Sequence, residues 1–448
     1  MPFDAPVTSA TPVFLVAGSM PRSLTSDAMT ARRLAAIDAQ NLWMSAAMPN
    51  DQFLIYGFAG VAGDLPGALA AVVDRARACG ELRLRVRERG RLRFPEWVDG
   101  GIDARQVLTH APEDWAGCLE TVTALTGDRL DAHTSAWRLH VFSPVRGVPG
   151  VTGPGTVAVV QVSHALADGM RSSALAAWLF GRQAQVPPVT VAPWESATLP
   201  VRAVRAARGH RALMRDVAAG RVAPQADPRP VLRSNAAPEG ERGLRVLVRG
   251  RGELADTTVT VAVLAAISRA LADHLRALGD DPATLGAELP MASPGPRRAH
   301  NHFGNVGVGL HPGLPYAERT ARIAEELAQR RARAAHPGLR AAALASAAVP
   351  APLVRWGVTA FDPTVRSPTA TGNTVVTSVH RGAADLRFGG APVAVTTGCP
   401  SLSPMMGLTH GVHGIGDTIA VSVHAAASAV GDIDAYVDRL SVALDRRS

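Results

Sequence analysis

The sequence predicts a two-part α/β protein built of layered sheets and helices. Strand-like and helix-like segments alternate up to about Phe180, and the alternation restarts at Leu244. Between them two polar, proline-rich passages, Gln183 to Pro200 and Ala223 to Gly243, flank a single helix. A chain of 448 residues also exceeds one typical core. The expected division is residues 1–183, a crossover segment 184–243 carrying the helix, and residues 244–448.

In the first part the expected order is strand Gln52 to Ala59, helix Pro66 to Ala78, strand Leu82 to Arg93 and helix Pro112 to Thr126. Strands Ala136 to Phe142 and Gly155 to Ser163 and helix Met170 to Phe180 follow. The run at 155–163 is the plainest of these, being charge-free, rich in β-branched residues and opened by Gly-Pro-Gly. The second part repeats the pattern: strand Leu244 to Arg249, helix Thr258 to Leu278, and strands Ala287 to Ala292 and Gly304 to Leu310. Helix Tyr316 to Ala335, strands Thr374 to His380 and Thr418 to His424, and helix Ile433 to Leu444 complete it. Two halves of similar size and element order suggest a duplicated architecture with a cleft between them, although no residue-level repeat is visible.

Composition excludes several classes. All 46 basic residues are Arg, so the net charge of +8 looks like GC-rich coding rather than a nucleic-acid footprint, and only three Tyr and ten Phe accompany them. Cys79, Cys118 and Cys399 are odd in number and widely spaced, which predicts neither a disulfide framework nor a zinc site and fits a reducing cytoplasm. No metal is expected. The apolar patch at Pro12 to Ala17 lacks a basic flank and does not read as a signal peptide. Ala341 to Val354 is too short to span a bilayer and contains two prolines, which leaves a buried core helix or, less simply, an interfacial one.

Chemistry concentrates where the apolar run delivers Ser163-His164-Ala165-Leu166-Ala167-Asp168-Gly169 at a helix start. A neutral imidazole at the end of a rigid strand can take a proton from a hydroxyl or thiol as that group attacks an acyl donor. A structural histidine satisfied by a backbone carbonyl is the alternative. No Gly-x-Ser-x-Gly elbow is present, which favours direct transfer over an acyl-enzyme. His413-Gly414-Ile415-Gly416-Asp417 copies the His-x-x-x-Asp spacing, but Thr418 stands where a glycine would follow, in what reads as a Gly-rich loop. His133, His140, His300 and His302 read as surface or core histidines.

This motif and several weaker landmarks resemble the bacterial wax ester synthase and acyl-CoA:diacylglycerol acyltransferase family, whose signature is His-His-x-x-x-Asp-Gly. Leu34-Ala35-Ala36-Ile37-Asp38-Ala39 resembles its Leu-Ser-x-x-Asp-Ala landmark, and Ser135-Ala136-Trp137-Arg138 its Pro-Leu-Trp-Glu. Leu289-Pro290-Met291-Ala292-Ser293 and Phe303-Gly304-Asn305 resemble two later strands. The chain departs from the pattern at Ser163 for the first His, at Thr260-Val261 for Asn-Asp, and at Thr377-Ser378-Val379-His380-Arg381-Gly382 for Ser-Asn-Val-Pro-Gly-Pro.

The resemblance implies two chloramphenicol-acetyltransferase-like halves with mixed sheets, a crossover and a central tunnel. It also implies an O-acyltransferase that moves a long acyl chain from acyl-CoA, as co-substrate with no bound cofactor, to a diacylglycerol, monoacylglycerol or fatty alcohol, yielding triacylglycerol or wax ester. His164 would be the general base. Asp168 is expected to pair with Arg297 or Arg298 and hold the loop rather than touch substrate. Gly169 would let backbone approach and open the helix towards an anion or thioester oxygen. Ser378 or Thr377 would donate to the oxyanion, with Ser163 beside the base.

The helix Val201 to Ala219 carries Arg202, Arg205, Arg208, Arg211 and Arg215 opposite Val204, Leu213, Met214 and Val217. That face is a solvated surface or a contact to an anionic membrane, lipid droplet or CoA phosphates. Two other functions stay open: a degenerate binder of acyl-lipid or acyl-CoA that does not turn over, and an acyltransferase using a carrier-protein thioester or a glycolipid acceptor.

Overall fold

The charge-free run forms the middle of a sheet covered on both faces, and every residue of strand Gly155–Val162 is buried. A computed structural model describes residues 11–12, 31–111, 113–191, 195–254 and 257–445. Strand Gly155–Val162 pairs antiparallel with Trp137–Val145 on one side and Gln52–Phe58 on the other. The whole first sheet runs Thr11–Pro12, Val107–His110, Trp137–Val145, Gly155–Val162, Gln52–Phe58, Ala391–Cys399, Arg387–Phe388. The second runs Arg242–Gly250, Thr418–Ala426, Leu408–Ile415, Thr374–His380, Gly286–Ala292, Phe303–Gly309. Both mix parallel and antiparallel pairs, giving the mixed two-half α/β fold expected.

Helices Ala36–Met44, Leu65–Ala78 and Gly169–Leu179 cover one face of the first sheet and share its core with Leu54, Tyr56 and Phe58. On the other face helix Trp115–Leu125 and strand Arg242–Gly250 close over Ile55, Phe142, Val157 and Val159. The odd–even alternation of the strands sends these residues to opposite sides. The second sheet is covered by helices Val259–Ala277 and Ile433–Asp445, with Tyr316–Ala334 against the first of them.

Several elements differ from expectation. Residues 387–399 lie in the C-terminal stretch of the sequence yet cross back into the first sheet, where Thr396 faces Tyr56 and Thr397 faces Ile55. The expected strand Leu82 to Arg93 is a 3-10 turn, Gly80–Arg83, and a short strand, Leu84–Arg87, which joins Glu96–Asp99 and Arg32–Arg33 in a separate three-stranded sheet. Gly90, at φ +99°, makes the reversal that the longer strand ignored. The helix expected from Pro112 starts at Trp115, because the Asp114 carboxylate caps the Gly117 N–H at 2.9 Å; residue 112 lies outside the described residues, as do 13–17 of the N-terminal apolar patch.

Ala341 to Val354 is not one helix, and within it only Ala348 and Ala351 are fully buried. Helices Pro337–Ala347 and Ala351–Thr359 meet there at a 93° bend, broken before Pro350 and Pro352. Pro337–Ala347 lies antiparallel against the basic helix, observed as Leu199–Ala218: Arg202 Nη1 donates to the Leu344 carbonyl at 2.9 Å, and His336 meets Asp216 at 3.1 Å. Gly209 and Gly338 let the backbones touch, since a Cβ on Gly209 would stand 2.8 Å from the Gly338 Cα. In a free helix Gly→Ala stabilises by about 1 kcal/mol. Here Gly338→Ala is expected to destabilise by roughly 1–3 kcal/mol, read from urea unfolding, because the facing atoms are backbone and cannot rotate away.

Candidate active site

His164 leaves strand Gly155–Val162 in a tight turn held by its backbone: Ser163 N–H donates to the Ala136 carbonyl and Leu166 N–H to the Ser163 carbonyl, both at 2.9 Å. The Asp168 carboxylate ends that turn by capping helix Gly169–Leu179 at the Arg171 N–H, 2.9 Å away. The imidazole is thereby held half-buried at the seam with the segment Arg297 to Phe303, its ring 5.7 Å from the Phe303 ring.

The tautomer of His164 follows from its neighbours. The Asn301 side-chain NH2 donates to Asp38 Oδ1 at 2.9 Å and to the His164 carbonyl at 2.6 Å, two acceptors that leave no choice of amide orientation. Asn301 Oδ1 therefore faces His164 Nδ1, at 2.7 Å, and must accept its proton. The lone pair is left on Nε2, which has no hydrogen-bond partner among the described residues. Burial lowers the pKa of this imidazole below the ordinary 6.5, against smaller opposing effects of its own backbone, Asn301 and Asp168, so it is neutral at pH 7.

Asp38 anchors this arrangement from the first half of the chain. Its Oδ2 accepts the His300 N–H and its Oδ1 the Asn301 N–H, each at 2.9 Å, beside the Asn301 side chain. Burial pushes its carboxyl up to about 6 despite those three donors. Neither the role of Asp38 nor Asn301 itself is visible in the sequence. Asp38 appears there only inside a landmark, and Asn301 stands two residues before Phe303-Gly304-Asn305 with no spacing to mark it.

Asp168 does not face a substrate. Arg297 Nη1 reaches it at 2.7 Å, His302 N–H donates to it at 2.9 Å, and with the helix cap its oxygens are fully engaged. Arg298 is exposed and takes no part. A Cβ on Gly169 would meet only ordinary contacts, Val379 Cγ2 at 3.6 Å and Gln52 Oε1 at 4.0 Å, so local packing does not demand glycine there. Ser163 is buried, with its hydroxyl turned to the Ala165 N–H at 3.4 Å.

Ser378 and Thr377 belong to strand Thr374–His380. The Ser378 hydroxyl meets that of Thr260 at 2.8 Å, whereas Thr377 turns to the His410 carbonyl at 3.4 Å. Ser378, Thr260 and Val379 line a cleft of about 670 Å³ with an apolar floor of Leu254, Val412 and Ile419. Val379 joins that cleft to the start of the Gly169 helix.

The other histidines are structural. His300 Nδ1 donates to the Leu166 carbonyl at 2.8 Å and its ring stacks on Trp97; burial, then Arg171 and Arg32, hold its pKa well below the usual range. His140 is locked between His110 and Gln161. His133 sits at the surface beside Asp131, and half-buried His302 turns its Nε2 to the Gly295 carbonyl at 3.2 Å. His413 lies not in a loop but in the fully buried strand Leu408–Ile415, enclosed by Gly398 and Gly411, whose glycines disguised the strand.

Two mixed-sheet halves meeting at a half-buried histidine are also the architecture to which this chain is similar among known proteins. Residues 300–446 match the WS/DGAT C-terminal domain. The wax ester synthase/diacylglycerol acyltransferase of Marinobacter aquaeolei VT8 superposes with a TM-score of 0.59 at 19% identity, covering 92% of this chain and 98% of that one. The starter condensation domain of rhizomide synthetase RzmA in complex with C8-CoA and Leu-SNAC gives 0.56 at 13% identity over 93% of both chains. The condensation domain of the Monacolin K polyketide synthase MokA gives 0.53 at 14% identity, over 93% of this chain and 97% of that one. No curated protein sequence matches the chain. Residues 300–446 thus match the C-terminal domain of this family, and nearly the whole chain shares the fold of the wax ester synthase/diacylglycerol acyltransferase and condensation-domain structures.

Because Arg297 neutralises a buried carboxylate, Arg297→Met is expected to cost about 3 kcal/mol in urea unfolding, whereas Arg298→Met stays near wild type.

Proposed function

We propose that the protein transfers a long acyl chain from acyl-CoA to the hydroxyl of a lipid alcohol, with His164 as general base. The observation that carries this is the Nε2 of His164, which has no hydrogen-bond partner among the described residues and whose tautomer is held by Asn301 and through it by Asp38. The acceptor hydroxyl gives its proton to Nε2 while its oxygen bonds to the thioester carbonyl carbon. The resulting tetrahedral oxyanion collapses, the carbon–sulfur bond breaks, and the imidazolium returns the proton to the CoA thiolate. The products are an ester and free CoA, so no acyl-enzyme is required.

Ser378 is the hydroxyl best placed to stabilise the oxyanion, since it opens onto the cleft beside Val379 while Thr377 turns away. Acyl-CoA as donor is supported by the rhizomide starter domain, a relative in fold that was captured with C8-CoA. A glycerolipid or fatty alcohol as acceptor is supported by the family. Asp168 and Arg297 position the turn and touch no substrate.

A labelled long-chain acyl-CoA offered with diacylglycerol, monoacylglycerol and fatty alcohol tests the proposal. Wild type should form labelled neutral lipid, and His164→Ala should lose about 10²–10⁴-fold in rate while still binding acyl-CoA. Acyl-CoA binding without product from any acceptor would instead establish a non-catalytic lipid binder. Asn301→Leu frees the imidazole to adopt the wrong tautomer, and should lower kcat by roughly 10–100-fold with little change in KM.

The pH profile follows from the directions given above. His164 works unprotonated and its pKa lies below 6.5, so kcat/KM should be flat above pH 7 and fall only on the acid side of 6.5. Asp38, at about 6, titrates in the same range and steepens that fall. A limb centred above pH 7 would exclude His164 as the base.

A further inference from the structure

We propose that the start of helix Leu199–Ala218, together with helix Ala351–Thr359 and residues 360–365, forms a surface that docks on an anionic lipid bilayer. Helix Ala351–Thr359 turns Ala351, Val354 and Val358 inward, where the first two join the first core. At helical spacing this leaves Leu353, Trp356 and Ala360 on the outer face. Trp356 is 70% exposed and Leu353 56%, and Phe361 and Val365 continue the apolar surface at 43% and 70%. Arg355 fixes the orientation from beneath: it makes two 3.0 Å hydrogen bonds to Glu88, and its guanidinium lies 4.3 Å from the centre of the Trp43 ring.

The basic helix supplies the charge. Antiparallel packing puts its N-terminal end beside Leu344, at the end of Pro337–Ala347 that leads into Ala351. The starts of the two helices therefore lie near one another, with Val201 and Val204 exposed on the one and Leu353 on the other. Behind them Arg205, Arg208, Arg211 and Arg215 are all exposed, and none pairs with a carboxylate among the described residues. Of this helix only Leu213 is fully buried, so most of its circumference is unpartnered.

An apolar stripe with a tryptophan, bordered by a run of arginines, matches the interface of an anionic membrane: the ring and aliphatic chains enter the headgroup boundary while the guanidinium groups meet lipid phosphates. The 93° bend and the shortness of the two helices make this a surface contact and not a span. The proposal is independent of turnover, so it stands or falls separately from acyl transfer.

The test is co-flotation of the full chain with vesicles of phosphatidylcholine alone or with one-third phosphatidylglycerol, alongside sizing in solution. Binding is expected only to the anionic vesicles and should weaken between 0.1 and about 0.5 M salt. Leu353→Ser with Trp356→Ser, and separately the triple reversal Arg205→Glu, Arg208→Glu, Arg211→Glu, should each weaken partitioning roughly tenfold or more. Leu92→Ser, at a side chain 79% exposed elsewhere, should not. Circular dichroism and unfolding midpoints of all variants report whether each is folded.

The proposal is overturned by absence of binding to anionic vesicles or by equal binding to neutral ones. It is equally overturned if folded Leu353/Trp356 variants bind as wild type does, or if wild type is a dimer in solution that these substitutions dissociate, which would make the patch an interface between copies of the chain.

Discussion

Two buried carboxylates, Asp38 and Asp168, hold the segment Arg297 to His302 beneath the histidine turn, and the site exists only because they do. Each comes from the first half of the chain and each grips the second. Asp38 takes the backbone N–H groups of His300 and Asn301 and the Asn301 side chain; Asp168 takes Arg297 and the His302 N–H while capping its own helix. A buried carboxylate with any unused acceptor would lose several kcal/mol of solvation without return. Asp38 accepts three hydrogen bonds and is nonetheless driven up to about 6, which measures how far desolvation outweighs them. Since its folded pKa exceeds that of an unfolded aspartate, its ionisation costs stability above pH 6, and that cost is relieved as the pH falls through 6.

The crossing strand Ala391–Cys399 is the second tie between the halves, and the chain's altered late motif serves it. Arg381, at a position where the family's Ser-Asn-Val-Pro-Gly-Pro loop resembles this chain's sequence, is buried with its guanidinium 5.2 Å from the Tyr56 ring centre. It donates to the Thr397 carbonyl at 2.9 Å and to the Thr396 hydroxyl. Arg381 thus bridges the end of the Thr374–His380 strand to the crossing strand and, through Thr396, to Ile55. It ties the halves together a few residues beyond Ser378 and Val379, which line the cleft.

What could be read from sequence follows physical signal strength. Gly155–Val162 was legible because a fully covered strand is apolar along its whole length, and helices Val259–Ala277 and Tyr316–Ala334 because their apolar positions recur at helical spacing. Leu408–Ile415 is as buried as the first of these, yet its two glycines and two histidines read as a loop; Gly411 is there because the His413 ring occupies the space a Cβ would need. Ala391–Cys399 carries no mark of the sheet it joins, since pairing partners are a property of topology and not of local pattern. His164 and Asp168 were legible through a motif. Asn301 was not, because its role depends on three groups more than 130 residues away in sequence, Asp38, His164 and the His164 carbonyl.

What separates His164 from the buried histidines is the fate of the second ring nitrogen. His410 spends both, on the Thr374 hydroxyl at 2.8 Å and on the Tyr436 hydroxyl at 2.7 Å, and His140 likewise spends both. His110, His274 and His424 each keep one nitrogen without a partner, but that nitrogen is sealed inside the core where no substrate reaches it. His164 keeps one nitrogen free at a half-buried position, and the other is fixed by an amide whose own orientation is fixed by a carboxylate. A base needs a lone pair, access and a settled tautomer together. The His-x-x-x-Asp-Gly spacing supplies only the turn; Asp38 and Asn301, brought from opposite halves of the chain, supply the tautomer.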